Sequence, residues 1–305
     1  MQESKVWLRG QVVAASESNV SLMSPAAQFG LNVFEGIRCY VTVDGKQLLA
    51  FRLDDHLRRL EKSAALLSIA MPHSFNEVRE AFRLVVEVHN EQKKVDTAVR
   101  VNVFGDGQGS WSSSGPFSMF IWPADRPRTE LRKLAGLRAM ISSWSRIDDN
   151  SLPPRVKVGA NYLNGRYAHL SALAARFDVP IMLGRNGNVA EGAGACLFLV
   201  REGALITPAI NNSILESITR DTIIKIAAEN NIPVEQRDVG RTEVYVADEV
   251  FLCGTAAEIT PIVVVDQYKI GAGAVGPVTK NLLTEYHKAV SGSGYVDKGW
   301  VELIS

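Results

Sequence analysis

The residues best suited to covalent chemistry lie in Lys157-Val-Gly-Ala-Asn-Tyr-Leu-Asn164, behind the double proline Pro153-Pro154. Small neighbours leave Lys157 open to close approach by a bulky group. Tyr162, at the start of a predicted helix, is placed to turn its phenol toward the same pocket. Desolvation disfavours the ammonium form of a lysine, which is what a Schiff-base nucleophile needs. The same stretch also reads as an exposed lysine ahead of a helix, and taken in isolation that is the plainer reading. The other chemistry-bearing segments are less specific. Glu191-Gly-Ala-Gly194 contains a GxG but lacks the third glycine and following helix of a dinucleotide site. Gly105-Asp-Gly-Gln-Gly-Ser110 suits a phosphate nest, a calcium loop or an ordinary surface loop, and the last is the plainest reading of its composition. His56 and His169 stand in predicted helices with no Cys/His cluster nearby, which argues against metal ligation.

Two successive α/β regions are predicted to position these groups. In the first, residues 6–14 and 38–43 read as strands, Asp44-Gly45 as a turn and 47–51 as a returning strand. A helix is expected from an N-cap at Asp54, with Leu57, Leu60, Ala64 and Leu67 on one face. The capping box Ser74-x-x-Glu77 opens a second helix that buries Val78, Phe82 and Val85. Residues 98–104 alternate, Val99, Val101 and Val103 facing one way and Arg100 and Asn102 the other. A polar Gly/Ser loop over 105–115 leads to a strand over 117–122. Two prolines and four charges over 123–130 then mark a domain boundary. The second region mixes a helix over 161–177, a hairpin at Asn186-Gly187, a strand over 195–200 and a helix over 219–230. Strands over 250–253 and 262–266 follow, and Pro277 opens a last helix. The expected organisation is a small N-terminal α/β domain (1–122), a linker (123–135) and a larger C-terminal domain (136–305).

Composition narrows the function. Among 305 residues, 33 Lys and Arg balance 33 Asp and Glu, so no basic surplus exists to bind a nucleic-acid backbone. With 46% hydrophobic and 22% charged residues the chain has the make-up of a globular protein. No apolar run has the length of a membrane span, and MQESKVWLRG lacks the apolar stretch of a secretory signal, so a cytoplasmic protein without membrane or nucleic-acid partners is expected. Cys39, Cys196 and Cys253 are scattered and never form a CxxC pair; they are expected as small core hydrophobes, with no metal site.

One series of motifs runs through both regions: Gly30-Leu-Asn-Val-Phe-Glu-Gly-Ile-Arg38, His56-Leu-Arg-Arg-Leu60, Lys157-x-Gly-x-Asn-Tyr162, Asn188-Val-Ala-Glu-Gly-Ala-Gly194, Ile218-Thr-Arg-Asp221 and Gly254-Thr-Ala-Ala-Glu-Ile-Thr260. In this order, from about residue 5 to 280, the series resembles the class IV pyridoxal-phosphate aminotransferases, and most closely the branched-chain amino acid aminotransferases. The resemblance implies the type IV fold of those enzymes, with a pseudo-barrel-type C-terminal domain, and pyridoxal 5'-phosphate as cofactor. It implies that Lys157 bonds to the cofactor and moves the substrate's proton, that Glu191 faces the pyridine nitrogen, and that Tyr162 lies beside the 3-oxygen. The phosphate falls to Ile218 and Thr219 at a helix N-terminus, with Thr255 and Arg59, and Leu215 is a further cofactor contact. Phe34, Gly36, Arg100, Gly194, Ala256 and Ala257 are the implied substrate contacts.

The substrate end departs from the family pattern. Ala98-Val-Arg100 stands where a tyrosine and an arginine are usual, Phe29 replaces a tyrosine, and Trp122 is followed by Pro-Ala-Asp-Arg. The expected activity is amino transfer between a branched-chain or other hydrophobic amino acid and a 2-oxo acid such as 2-oxoglutarate. A D-amino acid or (R)-amine transaminase, or a lyase, on the same cofactor site stays open as an alternative, with a non-enzymatic scaffold behind both. A homodimer is implied, with Trp111 in the 105–116 loop offered to the partner's pocket.

Overall fold

The computed structural model describes residues 4–130 and 134–305. The chain forms two compact units. The first takes the chain up to Arg128, together with Val156–Ala160 and Lys288–Ser305; the second takes Thr129–Arg155 and Asn161–His287.

Unit 1 contains β1 (Lys5–Leu8), β2 (Gln11–Ala14), α1 (Pro25–Phe29), β3 (Asn32–Val41), β4 (Leu48–Phe51), α2 (Leu53–Leu66), α3 (Phe75–His89), β5 (Thr97–Gly105) and β6 (Phe117–Asp125). The expected strand over 6–14 is two strands, because Arg9 (φ 50°) and Gly10 (φ 93°) make a tight turn that pairs Leu8 with Gln11. The predicted cap at Asp54 shifts to Arg52, held in the left-handed region. Asp54 and Asp55 instead occupy the first turn, where the helix dipole favours them. Along β5 the side chains alternate as expected; β3 starts at Asn32, ahead of the strand expected over 38–43, and it and β6 alternate in the same way. Val33, Ile37, Val99, Val101, Val103, Met119 and Ile121 pack on Leu57, Leu60 and Ala64 of α2 and on Val78, Phe82 and Val85 of α3. The opposite face of the same sheet carries Phe34, Gly36, Arg100 and Trp122, since Gly36 pairs with Arg100 and Arg100 with Trp122.

Unit 2 contains β7 (Leu137–Ile141), α4 (Asn161–Ala174), β8 (Val179–Leu183), β9 (Val189–Gly192), β10 (Cys196–Arg201), β11 (Ala204–Pro208), α5 (Ile218–Glu229), β12 (Val234–Arg237), α6 (Arg241–Tyr245), β13 (Glu249–Gly254), β14 (Glu258–Val265) and β15 (Tyr268–Lys269). Its mixed sheet runs β12-β11-β10-β13-β14-β7-β8-β9, with β15 on β14. The sheet curls, bringing β9 from the far edge back beside β10 and β11. Helix α7 (Pro277–Val290) leads out of unit 2, and β16 (Val301–Leu303) then pairs with β4, completing the antiparallel sheet of unit 1 in the order β16-β4-β3-β5-β6-β1-β2.

The division therefore differs from a contiguous split at 122 and 136. Strand β6 runs through Pro123 to Asp125, pairing with β5 all the way. On its other side β6 is paired by β1 at Phe120 and Ile121, short of Pro123, which therefore sits where a missing N–H is tolerated. Residues 131–133 of the expected linker lie outside the described residues. The three cysteines are buried free thiols, as expected. Among the described residues no helix is long and apolar enough to cross a membrane, and no group of three metal-ligating side chains gathers.

Candidate active site

Lys157 is fixed by its main chain. Its carbonyl accepts from the Phe34 N–H of β3 at 2.9 Å, and its own N–H donates to Ser63 Oγ of α2 at 3.1 Å. The next residue, Val158, bridges to Val33. Gly159 makes this approach possible, because a Cβ there would lie 2.8 Å from the Asn32 amide nitrogen. The side chain of Lys157 extends over the Phe34 ring, Nζ 5.0 Å from its centroid. Arg100 covers the same ring at 4.1 Å. In front of Gly36, Arg100's partner on β3, a Cβ would meet nothing within 4 Å, so the surface beside the guanidinium is open.

Behind that face lies a buried charge cluster. Glu35 is fully buried, and its carboxylate takes Arg59 in a fork: Nε to Oε1 at 2.7 Å and Nη2 to Oε2 at 2.8 Å. His56 Nδ1 lies 2.7 Å from the same Oε2. Burial pushes the Glu35 pKa up, but the Arg59 charge and hydrogen bond, with His56, outweigh it and bring it down to about 2. Burial lowers the pKa of His56 against the pull of Glu35, and the nearby charges of Arg59 and Lys157 lower it further. The neutral imidazole then donates from Nδ1 to the carboxylate.

In unit 2 a second buried carboxylate, Glu191, stands near the end of β9. Arg146 reaches its Oε1 with Nε and Nη2, both at 2.8 Å, and the Leu215 N–H donates to Oε2 at 3.3 Å. Cys196 Sγ stands 3.7 Å from Oε2, and burial beside that carboxylate raises its thiol to about 12, an inert neighbour. The turn after Glu191 brings in Gly194, where a side chain would meet the Tyr162 ring at 3.4 Å. Helix α4 presses on this turn so closely that a Cβ at Gly165 would lie on the Ala193 carbonyl. Pairing of Cys196 with Cys253 sets the turn beside the hairpin loop Thr255-Ala256-Ala257, between β13 and β14. Ile218 and Thr219 open α5 behind the N-cap Ser217, whose hydroxyl accepts from the Arg220 N–H. The first amides of a helix have no intrahelical acceptor and favour an anion.

The residues singled out in the sequence thus gather in two places. Phe34, Gly36, Arg59, Arg100 and Lys157 belong to unit 1; Tyr162, Glu191, Gly194, Leu215, Ile218, Thr219, Thr255, Ala256 and Ala257 belong to unit 2. Four participants have no role in the sequence reading: Glu35, His56, Ser63 and Arg146. A signal existed for the first two. Glu35 falls on the core face of an alternating strand, where a charge needs a partner, and His56 and Arg59 are one turn apart on a helix. The 105–110 loop is a surface loop whose Asp106 is tied to Arg9 at 2.6 Å. Hydrogen bonding from Arg9 lowers the pKa of that carboxyl to about 2 against the opposing effect of burial.

Known proteins resemble this arrangement closely. The sequence model of amino-transferase class IV matches residues 32–265. The branched-chain-amino-acid aminotransferase of Escherichia coli (strain K12) is 36% identical over 307 residues, 98% of this chain and 97% of the relative. The crystal structure of the branched-chain amino acid aminotransferase from Thermobaculum terrenum in its PLP-form is 38% identical and superimposes over 99% of each chain with a TM-score of 0.92. That of the T.th. branched-chain amino acid aminotransferase complexed with N-(5'-phosphopyridoxyl)-L-glutamate is 33% identical and gives 0.93 over the full length of both. These superpositions bear out the expected type IV α/β fold. With most of its length inside the family match and relatives above 30% identity from end to end, the chain belongs to the class IV aminotransferases, among the branched-chain amino acid aminotransferases.

Proposed function

We propose that this protein is a pyridoxal-phosphate-dependent aminotransferase that moves the amino group of a branched-chain or similar hydrophobic amino acid to 2-oxoglutarate. The observation that carries the reading is the donor set: in unit 1 a lysine fixed through its main chain and an arginine braced by a buried carboxylate, in unit 2 a buried carboxylate paired with an arginine and a helix N-terminus suited to an anion. That set fits pyridoxal phosphate group by group. When bound, the cofactor supplies an electron sink for the substrate's Cα–H bond. Lys157 carries the proton away from Cα, and Glu191, held by Arg146, keeps a proton on the ring nitrogen. Tyr162 sets its phenol against the cofactor's 3-oxygen. Ile218, Thr219, Thr255 and Arg59 hold the phosphate, with Leu215 beside the ring. Arg100 and the Ala256–Ala257 amides take the substrate carboxylate, while Phe34, Gly36 and Gly194 shape the space for its side chain.

The assignment extends to a homodimer in the cytoplasm. Helix α4 buries its small residues and exposes Leu163, Tyr167, Leu170 and Leu173, with Trp144 stacked on Tyr167 at 5.0 Å. An apolar patch of that kind supports contact with a second copy. Trp111 is 73% exposed, which supports its use as an element offered to a partner rather than folded onto its own unit.

A panel of L-amino acids, D-amino acids and amines, each assayed with 2-oxoglutarate, tests the reading. Turnover of leucine, isoleucine or valine is expected, with a yellow protein that borohydride bleaches irreversibly. A colourless protein that gains no absorbance band with added pyridoxal phosphate overturns it, and turnover of D-amino acids alone overturns the substrate assignment.

A further inference from the structure

We propose that His56 is a positioning residue for the cofactor's phosphate: through Glu35 it fixes the Arg59 guanidinium. The inference rests on the reading that Arg59 faces the phosphate. Its basis is the geometry behind the β3–α2 contact. Glu35 projects from β3 onto the core face, while His56 and Arg59 lie one turn apart on α2 and both reach its carboxylate. The Arg59 fork alone leaves the carboxylate plane to turn about its own side-chain torsion. A third donor, His56 Nδ1 at 2.7 Å from Oε2, fixes that plane and with it the direction in which the guanidinium points. The cluster is dry: His56 is 1% exposed and Glu35 fully buried, so no solvent can stand in for the imidazole.

The same strand and helix also clamp Lys157, whose carbonyl takes the Phe34 N–H and whose N–H goes to Ser63. One β3–α2 contact therefore aligns both the amine and the arginine. Arginine carries considerable rotamer entropy, and a guanidinium already held in place binds an anion without losing it at that moment.

The test is a comparison of two ligands, pyridoxal 5'-phosphate and pyridoxal, which differ only in the phosphate. Each is titrated into apoenzyme and followed by absorbance. His56→Gln, whose longer amide misses the Nδ1 position, is expected to weaken pyridoxal 5'-phosphate roughly tenfold and to leave pyridoxal within about twofold. His56→Asn places an amide N–H close to the Nδ1 position and is expected to restore the wild-type ratio. Equal weakening of both ligands by His56→Gln, or no weakening of either, overturns the proposal. So does failure of His56→Asn to recover the ratio. Arg59→Gln is the arm that judges the underlying reading: if it leaves the ratio of the two affinities unchanged, Arg59 does not hold the phosphate. If Arg59→Gln collapses the ratio and His56→Gln does not, the phosphate reading stands and the relay through Glu35 fails.

Discussion

Glu35→Gln keeps the size of a fully buried side chain and removes its charge, leaving Arg59, only 12% exposed, without its anion. In the folded protein the carboxyl's pKa is about 2 against an ordinary 4.5, burial pushing up and the Arg59 and His56 contacts pulling down by more. At about 1.4 kcal/mol for each tenfold change in acidity, that difference contributes about 3 kcal/mol to folding. Removing one partner of a buried ion pair costs about 3–5 kcal/mol by an independent route. The variant is therefore expected to be about 3 kcal/mol less stable at pH 7. Because the folded pKa is depressed, this contribution is complete above the unfolded value of 4.5 and is lost as pH falls toward 2. By about pH 3.5 on the order of 1 kcal/mol of it is gone, so the gap between wild type and variant narrows. His56 also takes up a proton on acid unfolding, and repeating the pair on a His56→Asn background removes its titration. Equilibrium urea unfolding followed by circular dichroism reads the gap. A difference below about 1 kcal/mol at pH 7, or one that stays constant into acid, refutes the reasoning.

Lys157→Ala is expected to abolish transamination with an unchanged circular dichroism spectrum, because alanine keeps the amide and carbonyl that hold position 157; near-normal turnover rules out the lysine as the reactive amine. Glu191→Gln should retain cofactor while losing about 3 kcal/mol of transition-state stabilisation, on the order of a hundredfold in single-turnover rate; an unchanged rate makes Glu191 structural only. Trp111→Ala should alter the ranking of amino donors without releasing cofactor, and a fully active monomer in sedimentation would sink the idea that its indole serves a partner.

Much of this site is legible in the sequence because its motifs are local. Lys157, Gly159 and Tyr162 lie close together in one short segment, and the turn that carries Gly194 follows directly from a strand end at Glu191-Gly192. Partners brought in from a distance leave no such trace. Arg146 meets Glu191 across 45 residues from an irregular stretch without periodicity. The C-terminal return is equally silent, since a strand of three residues, β16, acquires its meaning only by pairing with β4. Helix α4 inverts the usual rule. It buries Asn161, Gly165, Ala168 and Ala172 and turns leucines and tyrosines outward, so apolar periodicity points to the wrong face. The reason is close approach: only glycine at 165 lets the helix rest on the Ala193 carbonyl.

The alternation of a single strand separates chemistry from support in this enzyme. Phe34 and Gly36 face the side on which Arg100 and the Lys157 amine lie, while Glu35 between them points into the core and braces Arg59. The two cationic groups are held in opposite ways for a physical reason. In the proposed role a proton-moving amine has to travel between atoms, and at Lys157 the main chain is pinned while the four-carbon stem is left to carry the motion. In the proposed role an arginine that holds a phosphate has to stay still, and the Arg59 head is gripped by the Glu35 carboxylate, which His56 also contacts. Moving the register of β3 by one residue would turn Glu35 out and Phe34 in, dismantling brace and reacting face together. Full-length pairing of β3 with β5, from Asn32 opposite Phe104 to Cys39 opposite Thr97, is what makes that slip costly, since the apolar residues that β3 gives to the core would move into solvent with it.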